Sequence, residues 1–160
     1  MKKLNITIIT LLIGFTTFAQ DLTCNDFKKG IFYIPLKSTI DTLFVANPKG
    51  DITEKIQVPI EKGLKKYVVD RWSNTQIEWE NKLNTGVPIY EKIKWIGKCK
   101  YILSKDESKT KLTEDDLFVI ENGGLIVEKI EIKGKCMKYK STLKLKVGGE
   151  MYLIGEICKE

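Results

Sequence analysis

The stretch from Cys136 to Cys158 constrains this chain more than any other, because one hairpin register satisfies every residue in it. With Lys146-Val147-Gly148 as a three-residue loop, Gly148 takes the left-handed position, where it has no Cβ to clash. Lys144 then faces Glu150, Lys138 faces Glu156 and Cys136 faces Cys158. On the other face Leu143 meets Met151, Met137 meets Ile157 and Tyr139 meets Gly155. A slip of one residue would scramble both faces. The register predicts a Cys136–Cys158 disulfide and leaves Cys24–Cys99 by elimination. In the chain-entropy picture each is worth roughly 3–4.5 kcal/mol.

Two further stretches share this turn grammar. Pro48-Lys49-Gly50 would set Ala46 opposite Ile52 and Ile40 opposite Val58, with Thr53, Lys55 and Gln57 outside. Asn84-Thr85-Gly86 would set Ile77 opposite Ile93, Thr75 opposite Trp95, Glu78 opposite Lys92 and Gln76 opposite Lys94. Shorter turns fit Ser73-Asn74 and Gly134-Lys135. Near Gly97-Lys98 either a turn or a continuous bent strand from Ile89 to Leu103 would serve. Thr113 reads as the N-cap of a short helix, with Glu114, Asp115 and Asp116 in its first turn and Asn122-Gly123-Gly124 ending it. Ser104 to Lys111 reads as a polar loop.

The pattern yields an all-β, single-domain antiparallel meander of about nine or ten strands with one short helix. The strands run Ile31–Leu36, Ile40–Ala46, Ile52–Val58, Lys66–Trp72, Thr75–Leu83, Val87–Ile96, Cys99–Ser104, Leu125–Lys133, Cys136–Leu145 and Gly149–Cys158. A meander this long removes its exposed edges by closing, so a lipocalin-like barrel is favoured over a two-sheet sandwich.

Lys2 and Lys3 precede a mostly apolar run from Leu4 to Phe18, and Thr17 and Ala19 suit a cleavage site after Ala19. This reads as a signal peptide over residues 1–19, with a disulfide-stapled β domain at 20–160 that is periplasmic or secreted. The run is shorter than the roughly 20 residues a membrane helix needs, so no stable membrane insertion is expected. The net charge of +6 rests on 27 basic against 21 acidic residues, with a single arginine. Lysines alternating with apolar residues along strands suit a solvated face rather than a nucleic-acid surface. The sequence has no histidine, which excludes Ser-His-Asp and Cys-His catalysis. The four cysteines are widely spaced without a CxxC, so neither a metal site nor a cofactor is expected.

Cys24-Asn25-Asp26-Phe27-Lys28-Lys29-Gly30-Ile31-Phe32 resembles the C-x-D-F-K-x-G-x-F opening of a family of small exported flavobacterial proteins. Arg71, Gln76 and Glu78, then Trp95, Cys99, Tyr101 and Leu103, are similar to that family's later segments. The resemblance covers roughly Cys24–Gly30 and Tyr67–Leu103 and implies no particular activity. Some members carry a DNA topoisomerase IV label. This chain does not fit it, being too short and lacking a nucleotide-binding loop. Relative to shorter members, residues 37–65 look like an inserted hairpin, and Cys136 and Cys158 look peculiar to this branch.

Arg71, Gln76 and Glu78 would share a face if Arg71 pairs with Gln76, and could then grip a polar ligand head. The alternative is a solvated face on which Lys92 neutralises Glu78. Glu128 alternates with Ile126, Ile130 and Ile132, so it is a candidate buried carboxylate with Arg71 as partner; Leu125 and Val127 marking the buried side is the competing reading. Trp79 and Tyr139 would form apolar walls. Trp95, Tyr101 and Phe27 would pack around the Cys24–Cys99 bond. Glu78 and Glu80 lie on one strand face, unlike glycosidase carboxylates, which come from separate elements. The function expected is therefore non-catalytic: a binding module for a small apolar or amphipathic ligand, or else a secreted interaction or structural scaffold.

Overall fold

The computed structural model describes residues 22–37 and 40–160. The leader and its cleavage site lie outside the described residues. Ten strands form one antiparallel sheet: β1 (Gly30–Pro35), β2 (Ile40–Ala46), β3 (Ile52–Pro59), β4 (Lys66–Trp72), β5 (Thr75–Glu80), β6 (Ile89–Gly97), β7 (Lys100–Lys105), β8 (Leu125–Lys133), β9 (Cys136–Lys144) and β10 (Glu150–Lys159). β1 pairs with β4 on one side and β10 on the other, so β1 and β4 to β10 close an eight-stranded barrel. β2 and β3 are a hairpin added outside this circuit, with β2 lying along the first residues of β10.

β9 and β10 adopt the register of the sequence argument, from Lys144 opposite Glu150 to Cys136 opposite Cys158, and both disulfides are present. Gly148 sits at φ +92°. Lys140 and Lys144 both bind Glu150 on the solvent side of this pair. The helix α1 (Glu114–Glu121) has its capping box: Thr113 Oγ1 accepts from the Asp116 amide at 3.2 Å, and the Thr113 amide donates back to Asp116 at 3.0 Å.

Three details depart from expectation, and at a fourth place the structure chooses between two alternatives. In the β2–β3 hairpin Ala46 faces Ile52 as expected, but a bulge beyond Val45 moves Ile40 opposite Pro59 rather than Val58. At Gly97-Lys98 the chain turns, with a bulge between Trp95 and Gly97. Of residues 104–111, the first two still belong to β7 and a tight turn follows from Asp106, instead of a simple polar loop. In it Asp106 is 5 % exposed, accepts from the Ser108 hydroxyl at 2.7 Å and pairs with Lys92.

The departure at the end of β5 matters most. β5 stops at Glu80, and Asn81 takes a left-handed φ of 58°. Its side chain binds the Lys65 amide and the Gly63 carbonyl, and its own amide donates to the Lys66 carbonyl. The chain therefore leaves the sheet before Asn84 is reached. Thr75 faces Lys92, Gln76 faces Glu91 and Glu78 faces Ile89, replacing the expected partners Trp95, Lys94 and Lys92. The shift is odd in number, so it exchanges the two faces of β6 relative to β5.

Two apolar clusters fill the barrel ends. Phe27, Phe32, Val69, Met137 and Ile157 form one, with Phe27 and Phe32 stacked 5.8 Å apart. Phe27 closes a short 3-10 turn, Cys24–Phe27, that Cys24–Cys99 ties to the β6–β7 turn. Ile93, Tyr101 and Val127 form the other. Among the described residues no helix is long and apolar enough to cross a membrane.

Candidate functional site

The strand registers put a row of polar side chains inside the barrel. Arg71 on β4 faces Gln76 on β5, Gln76 faces Glu91 on β6, and Glu91 faces Lys105 on β7. Glu78 lies one inward position further along β5, opposite Val69. Side chains two residues apart on a strand share a face, which is why Gln76 and Glu78 point the same way.

Arg71 is 1 % exposed. Its Nε donates to Gln76 Oε1 at 2.8 Å, Nη1 to the Phe27 carbonyl at 3.0 Å and Nη2 to the Tyr101 hydroxyl at 3.0 Å. The guanidinium also lies over the Phe32 and Tyr101 rings. The Phe27 carbonyl ends the 3-10 turn, and such terminal carbonyls need an outside donor. Arg71 therefore locks the N-terminal turn, β4, β5 and β7 together. It makes no ion pair with a carboxylate among the described residues. Three of its five N–H donors are thus committed to protein acceptors, and the residue also lines the cavity described below.

Gln76 relays the network. With Oε1 committed to Arg71, its amide nitrogen donates to Glu78 Oε1 at 2.6 Å and Glu91 Oε2 at 2.7 Å. Glu78 and Glu91 also hydrogen-bond each other. Burial, and then the adjacent Glu78 charge, push the Glu91 carboxyl well above the usual range. Burial raises Glu78 as well, offset in part by the Glu91 hydrogen bond and the Arg71 charge. Like charges this close disfavour joint ionisation in an apolar enclosure, so the pair tends to hold one proton between them.

These groups face a cavity of about 230 Å3. Its apolar wall comes from Leu103, Leu125, Val127 and Ile157, with Ile34, Leu36 and Leu153 toward one side. Tyr139 also lines it, lying across Gly155, its neighbour on β10. Only glycine leaves room there, since a Cβ would overlap the phenol ring. Burial first of all pushes the Tyr139 phenol well above its ordinary value. Its hydroxyl makes no hydrogen bond among the described residues.

A surface cleft borders the cavity on one side. β10 pairs with β2 through Glu150–Tyr152 and with β1 through Cys158 and Lys159. Among the described residues, Leu153 to Ile157 have no strand partner on that edge. The cleft, of about 370 Å3, occupies this seam and shares Ile34, Leu36, Asp41, Tyr139 and Leu153 with the cavity. Lys37, Lys138, Glu131 and Glu156 rim it.

Of the residues singled out from sequence, Arg71 and Tyr139 face the interior and Glu128 and Trp79 do not. Glu128 lies outside, bonded to Lys100 Nζ at 2.9 Å. The expectation that it faces inward is corrected by a bulge between Lys129 and Glu131. Before the bulge Val127 is the buried residue; after it Ile132 packs on the core. The alternation that linked Glu128 to Ile132 is broken between them. Trp79 is 7 % exposed and faces Val68 on the side away from the cavity. Sequence reasoning missed Glu91, although the signal was present. It interrupts the apolar series Ile89, Ile93, Trp95 at period two, and the misplaced β5–β6 register alone hid it.

Among the described residues the one cluster with metal-ligand geometry is Cys136, Glu156 and Cys158, and its sulfurs are joined to each other. No family model, curated protein or solved structure matches this chain.

Proposed function

We propose that this protein is an exported binding module that holds a small amphipathic ligand inside its barrel. The observation that carries this reading is the cavity itself. It has a polar pole of two carboxyls and a phenol, an apolar wall and a bordering cleft at the β1–β10 seam. Ligand sites are typically concave, mostly apolar and equipped with a few convergent polar groups. The cavity alone is below the usual 300–1,000 Å3, and the adjoining cleft extends it into that range. Carboxyls in hydrogen-bond contact are closer than the roughly 5 Å or more that glycosidases keep between theirs. That spacing favours binding over hydrolysis.

The compartment belongs to the same reading. Two disulfides suit an oxidising environment, and intact mass should show a chain starting at Gln20. Native mass spectrometry of the protein recovered from the exported fraction tests the function. A co-purified small molecule is expected, and repeated recovery of empty protein overturns the reading.

One observation favours a second reading. β3 is the outermost strand of the sheet, exposed along nearly its whole length, with Ile52 and Val58 on the surface. Such an edge can pair with an extended segment of another protein. An interaction scaffold built on the β2–β3 hairpin would be the function of a barrel found empty.

A further inference from the structure

The donor and acceptor balance of the cavity narrows its ligand class. Glu78 and Glu91 together offer several acceptor lone pairs, and the protein supplies them with only the Gln76 amide and one shared proton. Arg71, the one buried cation among the described residues, directs three N–H donors to a carbonyl, an amide oxygen and a phenol. Lys105 faces Glu91 across the ladder, but its amine is 4.0 Å from Asp116 on α1. The Tyr139 hydroxyl, which can donate as well as accept, faces the same void. The void is thus rich in acceptors, and among the described residues no cation is in direct contact with its acids. An anionic head would add a second negative charge beside Glu78, with the already engaged Arg71 to offset both.

We propose that the cavity binds a small organic cation, a primary ammonium on a short apolar tail, whose head displaces the proton shared by Glu78 and Glu91. This deepens the binding reading above and rests on it. The exchange balances in charge. One ammonium enters, one proton leaves to solvent, and the two carboxylates then face one ammonium and the Arg71 guanidinium. Three N–H donors of the ammonium reach Glu78, Glu91 and the Tyr139 oxygen, while its tail lies against Leu103, Leu125 and Val127. The charged and titratable groups facing the pair are Arg71 and Tyr67 from β4, Tyr101 and Lys105 from β7, Tyr139 from β9 and Asp41 from β2. Tyr67, Tyr101 and Tyr139 are held neutral by burial, so the carboxyl pair is the group whose proton responds.

Calorimetric titration of the disulfide-intact protein with hexylamine, hexanol and hexanoate tests this, each in buffers of different ionisation enthalpy. Hexylamine should bind with release of about one proton, and its affinity should rise by up to about tenfold per pH unit. Hexanol and hexanoate should bind at least about tenfold more weakly. Glu91→Gln keeps the shape and the donor to Glu78 but has no proton to lose. It should weaken hexylamine at least about tenfold and abolish proton release. Hexanol or hexanoate binding as well as hexylamine, hexylamine binding without proton release, or an unaffected Glu91→Gln each overturns the cation proposal while leaving a binding barrel. Binding of none of the three also overturns it, and the binding reading falls with it only if native mass spectrometry finds the barrel empty. Should Glu91→Gln fail to fold, the proton count and ligand ranking of the unaltered protein decide the matter alone.

Discussion

Replacing Arg71 by Met tests whether the barrel is held shut from inside. The side chain is 1 % exposed and bonds to Phe27, Gln76 and Tyr101. Met fills much of the same volume but provides no donor. The Tyr101 hydroxyl can rotate to another role. The Gln76 oxygen cannot, because turning the amide would take its nitrogen from both carboxyls. The Phe27 carbonyl is left buried and unpaired, at a cost of about 1–3 kcal/mol. The Glu78–Glu91 pair also loses the one buried counter-charge it has among the described residues. Removing one member of a buried charged network typically costs 3–5 kcal/mol, and we expect Arg71→Met to lie in that range. This is a large part of the 5–15 kcal/mol that holds an ordinary domain together. The cost should shrink in acid, where both carboxyls are protonated and need no counter-charge. Arg71→Lys should recover only part of it, since an ammonium cannot span the three acceptors of the planar fork. Urea unfolding followed by tryptophan fluorescence at several pH values gives the numbers. A loss below about 1 kcal/mol at neutral pH, or one independent of pH, would refute the reasoning.

Three further outcomes follow from the same geometry. Glu78 and Glu91 hold their proton more tightly folded than unfolded. Their stabilisation is therefore complete below the ordinary value of 4.5 and is lost as pH rises through the raised folded values; urea midpoints of the unaltered protein should fall over that window, and Glu91→Gln should flatten the fall. Gly155→Ala forces its methyl group into the Tyr139 ring and should cost about 1–3 kcal/mol; an unchanged melting temperature would mean the ring does not lie across the strand. Replacing Cys136 and Cys158 together by Ser opens a loop of 22 residues and should cost about 3 kcal/mol with the native near-ultraviolet spectrum retained; loss of that spectrum would show the bond is needed to form the β9–β10 register.

Local alternation and turn chemistry determine most of this chain. β9–β10 is legible to the residue because its turn is tight, its strands are long, and charge, sulfur and apolar pairing all select one register. α1 is legible because capping is a contact between residues three apart. Arg71 opposite Gln76 follows from the short Ser73-Asn74 turn in the same way. What lay beyond the sequence depended on interactions between distant segments. The end of β5 is set by Asn81 binding Gly63 and Lys65, some sixteen to eighteen residues away, and that contact brings Gln76 to Glu91. Bulges in β3 and β8 add one residue without a composition signal and turn Glu128 out to Lys100. Barrel closure then decides what a buried charge meets. Period two can say that Glu91 points inward, but only the closed sheet places Glu78, Gln76 and Arg71 around it. It is the crowding of those groups in an enclosed space that makes two carboxyls share a proton.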